Sequence, residues 1–338
     1  MIVASIISRY IFLQSIATST SISSSIAMSL YTNAKNAPQS SPTLSSEQLD
    51  AQMRLSSSLV RKATSDYLSE DPSMAGSLLR LAFHDAATRE SKDSDGSFTG
   101  GPNGSIRYEV SWSENRGISR PLKVVESIYE DIGKYLDLSF ADCIALSGAA
   151  SVEYAGGPRI SILLGRKDAT KEDARKRRNA LQLSTDRSLV DTTLPSAGLD
   201  SDGLRLYFGA LGLSEKELVA LCGAHDLGRH VTLLDMPKSC LKDLTRECLE
   251  KAPVLMPFVT EEPDRFSNTY FKKLLRWNGR KVSLGEVAFI PTDVNLVVDE
   301  GLRIHVEEFA KDKQSFYHTF ASAFQKLVDA GGTSDKRY

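Results

Sequence analysis

The stretch LLRLAFHDAATRE, residues 78–90, has the apolar run of a buried helix, yet it holds Arg80, His84 and Asp85. Arg and Asp are rarely fully buried without a partner. On a helix, four residues of separation put Arg80 and His84 on the same face, about one turn and roughly 6 Å apart. An imidazole accepts and returns a proton near neutral pH. A guanidinium is a permanent cation that stabilises developing negative charge. Together they suit chemistry in which a bound acid loses a proton from one oxygen and regains it on another. A capped helix end with an incidental His-Asp is the alternative without chemistry.

A second stretch, EKELVALCGAHDLGRH (215–230), places His225 deep in another apolar, small-residue helix beside Gly223 and Ala224. Small residues next to a histidine let something broad and flat approach the backbone. One histidine on an apolar face is ordinarily a satisfied core residue, but two such helices are harder to set aside. The remaining histidines, His230, His305 and His318, read as surface or structural.

The chain around these helices has 338 residues, 41% hydrophobic and 25% charged, with a net charge of −2. This is ordinary globular composition, with no electrostatic footprint for nucleic acid. Cys143, Cys222, Cys240 and Cys248 are too few and too uneven for a disulfide scaffold. Cys240 and Cys248 form the one local pair, and two free thiols is an equal alternative. Residues 1–46 contain no Asp or Glu, two basic residues (Arg9 and Lys35) and many Ser and Thr. Such a leader suggests an organelle transit peptide, plastid first, with a secretory or mitochondrial signal as rival. Its apolar runs are broken by Arg, Ser and Thr, which argues against a membrane span.

From Ser46 the pattern is mainly helical. A Ser-x-x-Gln or Ser-x-Glu cap opens the first helix, and helical spacing recurs over 75–88, 122–136, 139–157, 200–212, 214–227, 267–277 and 301–330. DSDGSFTGGPNGSIRYE is dense in Gly, Asp and Asn and reads as a loop. ARKRRNALQLSTDRS (174–188) reads as a basic, polar connection between two lobes. Strand alternation is brief, in RISILLG (159–165). The class is all-α, in two helical lobes.

At this point the motifs resemble those of the plant-type haem peroxidases. LRLAFHDA (79–86) is similar to the distal helix motif and LVALCGAHDLGR (218–229) to the proximal one. FADCIALSGAASVEYAGGP, LLGRKDA, GGPNGSIRYE, ENRGI, FSNTYFKKLL and IPTD match further landmarks, in family order over about 75–295. The resemblance implies two helical lobes enclosing one haem b per chain. The distal lobe would span about 47–175 and the proximal lobe about 195–330, within a domain of 47–330. It implies reduction of hydrogen peroxide to water with oxidation of a small donor, and a role in peroxide detoxification.

Carried across by the resemblance, His225 is the proximal iron ligand and Asp293, in IPTD, accepts its other ring N–H. His84 takes the proton from bound peroxide and delivers it to the leaving oxygen. Arg80 stabilises the charge of O–O cleavage, and Asn115 accepts a hydrogen bond from the far nitrogen of His84. Phe83 shields the distal pocket, and Phe258 stands where class I members place a proximal Trp.

The match is not to one branch. Absence of an extensive disulfide set and the GGPNGSIRYE loop resemble class I, which contains ascorbate peroxidases, whereas Phe83 and Phe258 resemble class III. Leu234 occupies the position of the ascorbate-binding Arg, which puts ascorbate in doubt as donor. Asp226 and Ser267 exchange the usual residues of the proximal cation site, so K+ or Ca2+ could be kept there or lost. On the distal side Asp85 and Ser105 match calcium ligands while Asn103 replaces a carboxylate, implying weak or no binding. Residues 230–258 look like a lengthened insertion near the haem edge. Two other readings remain: a non-catalytic scaffold of the same fold, and a metal phosphohydrolase built on His84-Asp85 and His225-Asp226.

Overall fold

The computed structural model describes residues 45–88, 100–183, 194–195, 199–231, 255–257, 262–276 and 289–338. The leader up to residue 44, Leu234, Cys240, Cys248, Phe258 and the interior of the 230–258 insertion lie outside the described residues. Of the two units into which the chain divides, Met53–Tyr338 holds the whole site; Met1–Gln52 is described only from residue 45.

Helix α1 spans Ser46–Glu70 and opens with a reciprocal cap: Gln48 N–H donates to Ser45 Oγ, and Ser45 N–H to Gln48 Oε1. Helix α2, Ala75–Ala86, carries the first histidine motif. Helix α3 spans Ser119–Asp131 and α4 spans Phe140–Tyr154. Every residue of α4 from Phe140 to Val152 is buried, which explains a sequence apolar on all sides. Small residues let α2 lie close along it. A Cβ on Gly148 would meet the Ala82 Cβ at 2.4 Å.

The Gly-Arg-x-Asp turn after α4 ties the fold together. Asp168 accepts the N–H groups of Phe140 and Ala141, both at 2.9 Å, and caps α4 with Ser139. Arg166 pairs with Asp142 at 2.7 Å, the two side chains 1% and 2% exposed, and its Nε donates to the Val328 carbonyl. Such a pair adds little net stability over an apolar one, but its geometry is specific. RISILLG does not form a ladder strand. Its backbone hydrogen-bonds the C-terminal tail instead, through Ile162 with Tyr338 and through Leu164 with Thr333 and Ser334.

Residues 174–183 depart from expectation, while 184–188 lie outside the described residues. Helix α5 spans Lys171–Leu183, so the basic stretch is helical up to Leu183 and not a plain connection. Thr170 and Asp173 cap each other, and Lys, Arg, Ala and Leu are good helix formers. Helices α6 (Ser201–Ala210) and α7 (Glu215–Cys222) follow, each opened by an acceptor side chain, Asp200 and Ser214. Helix α7 ends at Cys222, so His225 lies not deep in an α-helix but in the 3-10 turn Gly223–Asp226. The tightening accompanies the Asp226 carboxylate, which is drawn to distant backbone N–H groups.

A two-stranded antiparallel ribbon, β1 (Arg229–Val231) with β2 (Leu255–Pro257), closes the ends of the 230–258 insertion. Helices α8 (Thr269–Leu274), α9 (Pro291–Val298), α10 (Glu300–Lys311) and α11 (Lys313–Val328) complete the chain. The 301–330 periodicity is thus two helices. Asp312 separates them because its carboxylate accepts the N–H groups of Gln314 and Ser315. Phe266, Phe271, Phe309, Phe316 and Phe320 pack ring against ring in the core beside α8, α10 and α11, and Phe324 reaches α4 beside Gly148. The described residues are therefore all-α apart from one short ribbon, and none of their helices is long and apolar enough to cross a membrane.

Candidate functional site

Helix α2 packs against α4, α3 and the 3-10 turn of His225. At Gly76 the approach to that turn is so close that a Cβ would lie 2.2 Å from the Leu227 carbonyl oxygen. The two histidine-bearing segments are therefore neighbours in the fold. His84 is 7% exposed, and its Nδ1 lies 2.9 Å from Asn115 Oδ1. The Asn115 amide is itself fixed, because its Nδ2 donates to the Glu109 carbonyl at 3.1 Å. Its Oδ1 can then only accept, so His84 carries its hydrogen on Nδ1 and keeps Nε2 as the basic nitrogen. Burial holds the His84 pKa well below its ordinary value; the Arg80 charge adds to this, and the Asn115 bond opposes it.

Arg80 comes from the turn before His84. Its Nη1 donates to the Arg116 carbonyl at 2.6 Å and its Nη2 to that of Glu114 at 3.3 Å. The segment that aims the imidazole through Asn115 therefore aims the guanidinium too. Arg80 retains open surface, yet desolvation lowers its pKa to about 10. Open surface on a desolvated cation is what a group lining an interior cleft shows. Phe83 is half-buried, its ring 6.3 Å from His84 and 6.5 Å from Phe208 of α6.

On the other segment, His225 Nδ1 lies 2.7 Å from Asp293 Oδ1, at the start of α9. The side chain of Asp293 is 1% exposed, that of His225 30%. The second carboxylate oxygen accepts the Ile290 N–H at 3.0 Å, so the helix N-terminus fixes the acid. A residue given no role in the sequence joins this unit: Tyr270, fully buried, donates its phenol O–H to Asp293 Oδ1 at 2.6 Å. The signal for it was a tyrosine among core aromatics, since a buried phenol needs a partner.

The remaining acids are used by the backbone. Asp226 accepts the N–H groups of Ser267 and Tyr270 and caps α8, its pKa raised by burial to about 6. Ser267 Oγ hydrogen-bonds Thr269 at 2.8 Å. Asp85 accepts the N–H groups of Gly104 and Ile106, its pKa raised to about 7, burial being the larger cause and the Glu109 charge a lesser one. Asn103 Oδ1 accepts the Ser105 N–H at 3.1 Å. Among the described residues no group of three or more His, Cys, Asp or Glu could hold a metal ion. The phosphohydrolase reading therefore finds no support in the two His-Asp dipeptides. His305 is half-buried, His318 is exposed, and His230 lies on β1. Cys143 is a buried free thiol and Cys222 a half-buried one.

The chain is similar to known proteins over most of its length. A family model described as peroxidase matches residues 60–312. A relative named probable L-ascorbate peroxidase 3, peroxisomal, from Oryza sativa subsp. japonica is 33% identical over 263 residues, 77% of this chain and 75% of that one. L-ascorbate peroxidase 3 of Arabidopsis thaliana is 34% identical over 255 residues, 75% of this chain and 73% of that one. Probable L-ascorbate peroxidase 8, chloroplastic, of Oryza sativa subsp. japonica is 30% identical over 266 residues, covering 76% of this chain and 50% of the other.

Proposed function

The chain belongs to the peroxidase family and is a haem peroxidase that reduces hydrogen peroxide, and on that basis we propose that His84, Arg80 and Asn115 activate peroxide while His225 and Asp293 hold the haem. The observation that carries this reading is a pair of imidazoles on neighbouring segments, each with Nδ1 committed to a fixed acceptor. Each therefore turns Nε2 to its task, one as base and one as ligand.

The residues fit haem b, one per chain. His225 Nε2 would ligate the iron, and Asp293, by accepting the Nδ1 hydrogen, makes the imidazole a stronger donor and fixes its plane. Gly223 does not make the room for a flat ligand that its neighbourhood to His225 suggested, because a Cβ there would lie 2.6 Å from the Phe316 ring and the glycine seats the turn on the aromatic core; the open surface of Arg80 within the protein supplies the cleft. When bound, haem supplies the metal that holds peroxide and the electrons that cleave its O–O bond. His84 Nε2 takes the proton from the near oxygen and returns it to the leaving one, which departs as water. Arg80 stabilises the negative charge that gathers on the leaving oxygen. Phe83 closes the pocket over them.

The relatives' names favour ascorbate as donor, but Leu234 in place of the expected Arg favours another small reductant. The K+ or Ca2+ reading of Asp226 and Ser267 fits less well than haem, because both carboxylate oxygens of Asp226 already accept backbone N–H groups, from Ser267 and Tyr270. The distal lobe of about 47–175 and the proximal lobe of about 195–330 would meet at the haem. Relatives named chloroplastic stand beside relatives named peroxisomal, and the acid-free leader is what favours a plastid address.

The proton role has a pH signature. His84 must be neutral to act, and its pKa is held well below the ordinary value of about 6.5. Arg80 is the charged group beside it, while the Asp85 carboxylate is turned to Gly104 and Ile106. The second-order rate constant for peroxide should be level from neutral pH into mild acid and fall only below the ordinary imidazole range. Stopped-flow mixing across that range checks it. A fall centred near the ordinary value would contradict a desolvated base.

A further inference from the structure

We propose that Arg177 is a positioning residue for the peroxide step: wedged between the buried Glu109 carboxylate and the Trp112 ring, it clamps the 109–116 segment whose carbonyl groups aim His84 and Arg80. The inference rests on the reading of His84 as the proton acceptor and extends it to a helix that the motifs do not include. Arg177 lies on α5 and is 7% exposed, and Glu109 is fully buried. Arg177 Nη2 lies 2.5 Å from Glu109 Oε2, its Nη1 donates to Ser105 Oγ at 3.3 Å, and its guanidinium carbon sits 5.0 Å from the centre of the Trp112 ring. Neither Glu109 oxygen has an aligned hydrogen bond, so the contact is one of charge and stacking.

Both gripped residues hold Asn115. The Glu109 carbonyl accepts the Trp112 N–H at 2.9 Å and Asn115 Nδ2 at 3.1 Å, and the Trp112 carbonyl accepts the Asn115 N–H at 3.1 Å. Asn115 then holds His84, while the neighbouring carbonyls of Glu114 and Arg116 hold Arg80. Helix α5 is in turn seated on the 3-10 turn Ser105–Tyr108, with Ala174 buried. Arg178 also lies against the Trp112 ring, at 4.8 Å, but of the two guanidinium groups Arg177 is the one that reaches Glu109 as well, and it thus stands behind the placement of both groups that face peroxide.

The test compares wild type, Arg177→Met, and Arg177→Met combined with Glu109→Gln, which leaves no unpaired buried charge and keeps the fold testable if the single variant is unstable. In both variants kcat/KM for peroxide should fall about 10- to 100-fold, as for other groups that orient a reacting residue, while kcat/KM for the reductant stays within about threefold. The readout beside activity is the His84 Nδ1 hydrogen. It is followed by NMR in 15N-histidine-labelled protein reconstituted with zinc protoporphyrin, whose d10 metal is diamagnetic. Its exchange with water should quicken at least about tenfold in both variants. A double variant with wild-type peroxide kinetics would overturn the proposal, as would an equal loss toward both substrates with unchanged exchange. His84→Ala run alongside separates the layers: if it too reacts normally, the reading of His84 fails, and if only the Arg177 variants do, the clamp alone fails.

Discussion

His84→Ala should slow the reaction with hydrogen peroxide by about 10²- to 10⁴-fold, or roughly 3–5 kcal/mol on the barrier. The substitution removes the base but leaves its surroundings. Arg80 keeps its acceptors in the Glu114 and Arg116 carbonyls, and Asn115 keeps its bonds to Glu109 and Trp112. Without the imidazole, the proton of the near oxygen must pass to water, and the leaving oxygen departs as hydroxide in place of water. Haem uptake should be unaffected, since His225 and Asp293 are untouched. Single-turnover mixing with peroxide isolates this step from donor oxidation. A variant that reacts at the wild-type rate would remove His84 from the mechanism.

Asp293→Ala comes next in size because one carboxylate serves three groups. His225 Nδ1–H, the Tyr270 phenol and the Ile290 N–H would all lose their acceptor. Each orphaned buried donor costs about 1–3 kcal/mol, less whatever a water filling the space repays. The imidazole would also lose the charge that strengthens it as a ligand and the bond that fixes its ring. Peroxide turnover should drop about 10- to 100-fold, and the denaturation midpoint should fall in the same variant. Asp293→Asn keeps one acceptor oxygen of the two, which can serve the His225 and Tyr270 donors or the Ile290 N–H but not all three, so it should lie between wild type and Ala on both scales. A loss of stability with full turnover would show that Asp293 holds the fold but not the ligand.

What the sequence disclosed follows the range of the forces involved. Helix α4 and the cap at Ser45 were legible because their periodicity and hydrogen bonds are local. The distal pair was legible for the same reason, since Arg80 and His84 share one helix face. The turn that holds His225 was not, because Asp226 is satisfied by Ser267 and Tyr270, far along the chain. Helix α5 was misread for a related cause. Its run of basic residues looks solvated, and nothing near it in sequence shows that Arg177 finds Glu109 and Trp112. Tyr270 stood within a recognised motif, but only the fold shows its phenol on Asp293. RISILLG has strand alternation but finds the C-terminal tail in place of a sheet. Local pattern reached the helices and the chemistry they carry; pairing between distant segments, which aims that chemistry, required the structure.

An absorption titration of the purified chain with haemin, followed by addition of hydrogen peroxide, tests most directly whether His225 and His84 serve one bound porphyrin. Haem uptake should saturate at one equivalent per chain, with a Soret band of histidine-ligated iron that shifts within the mixing time when peroxide is added. A chain that takes up no haemin, or binds it with a Soret band indifferent to peroxide, would contradict the roles assigned to both histidines.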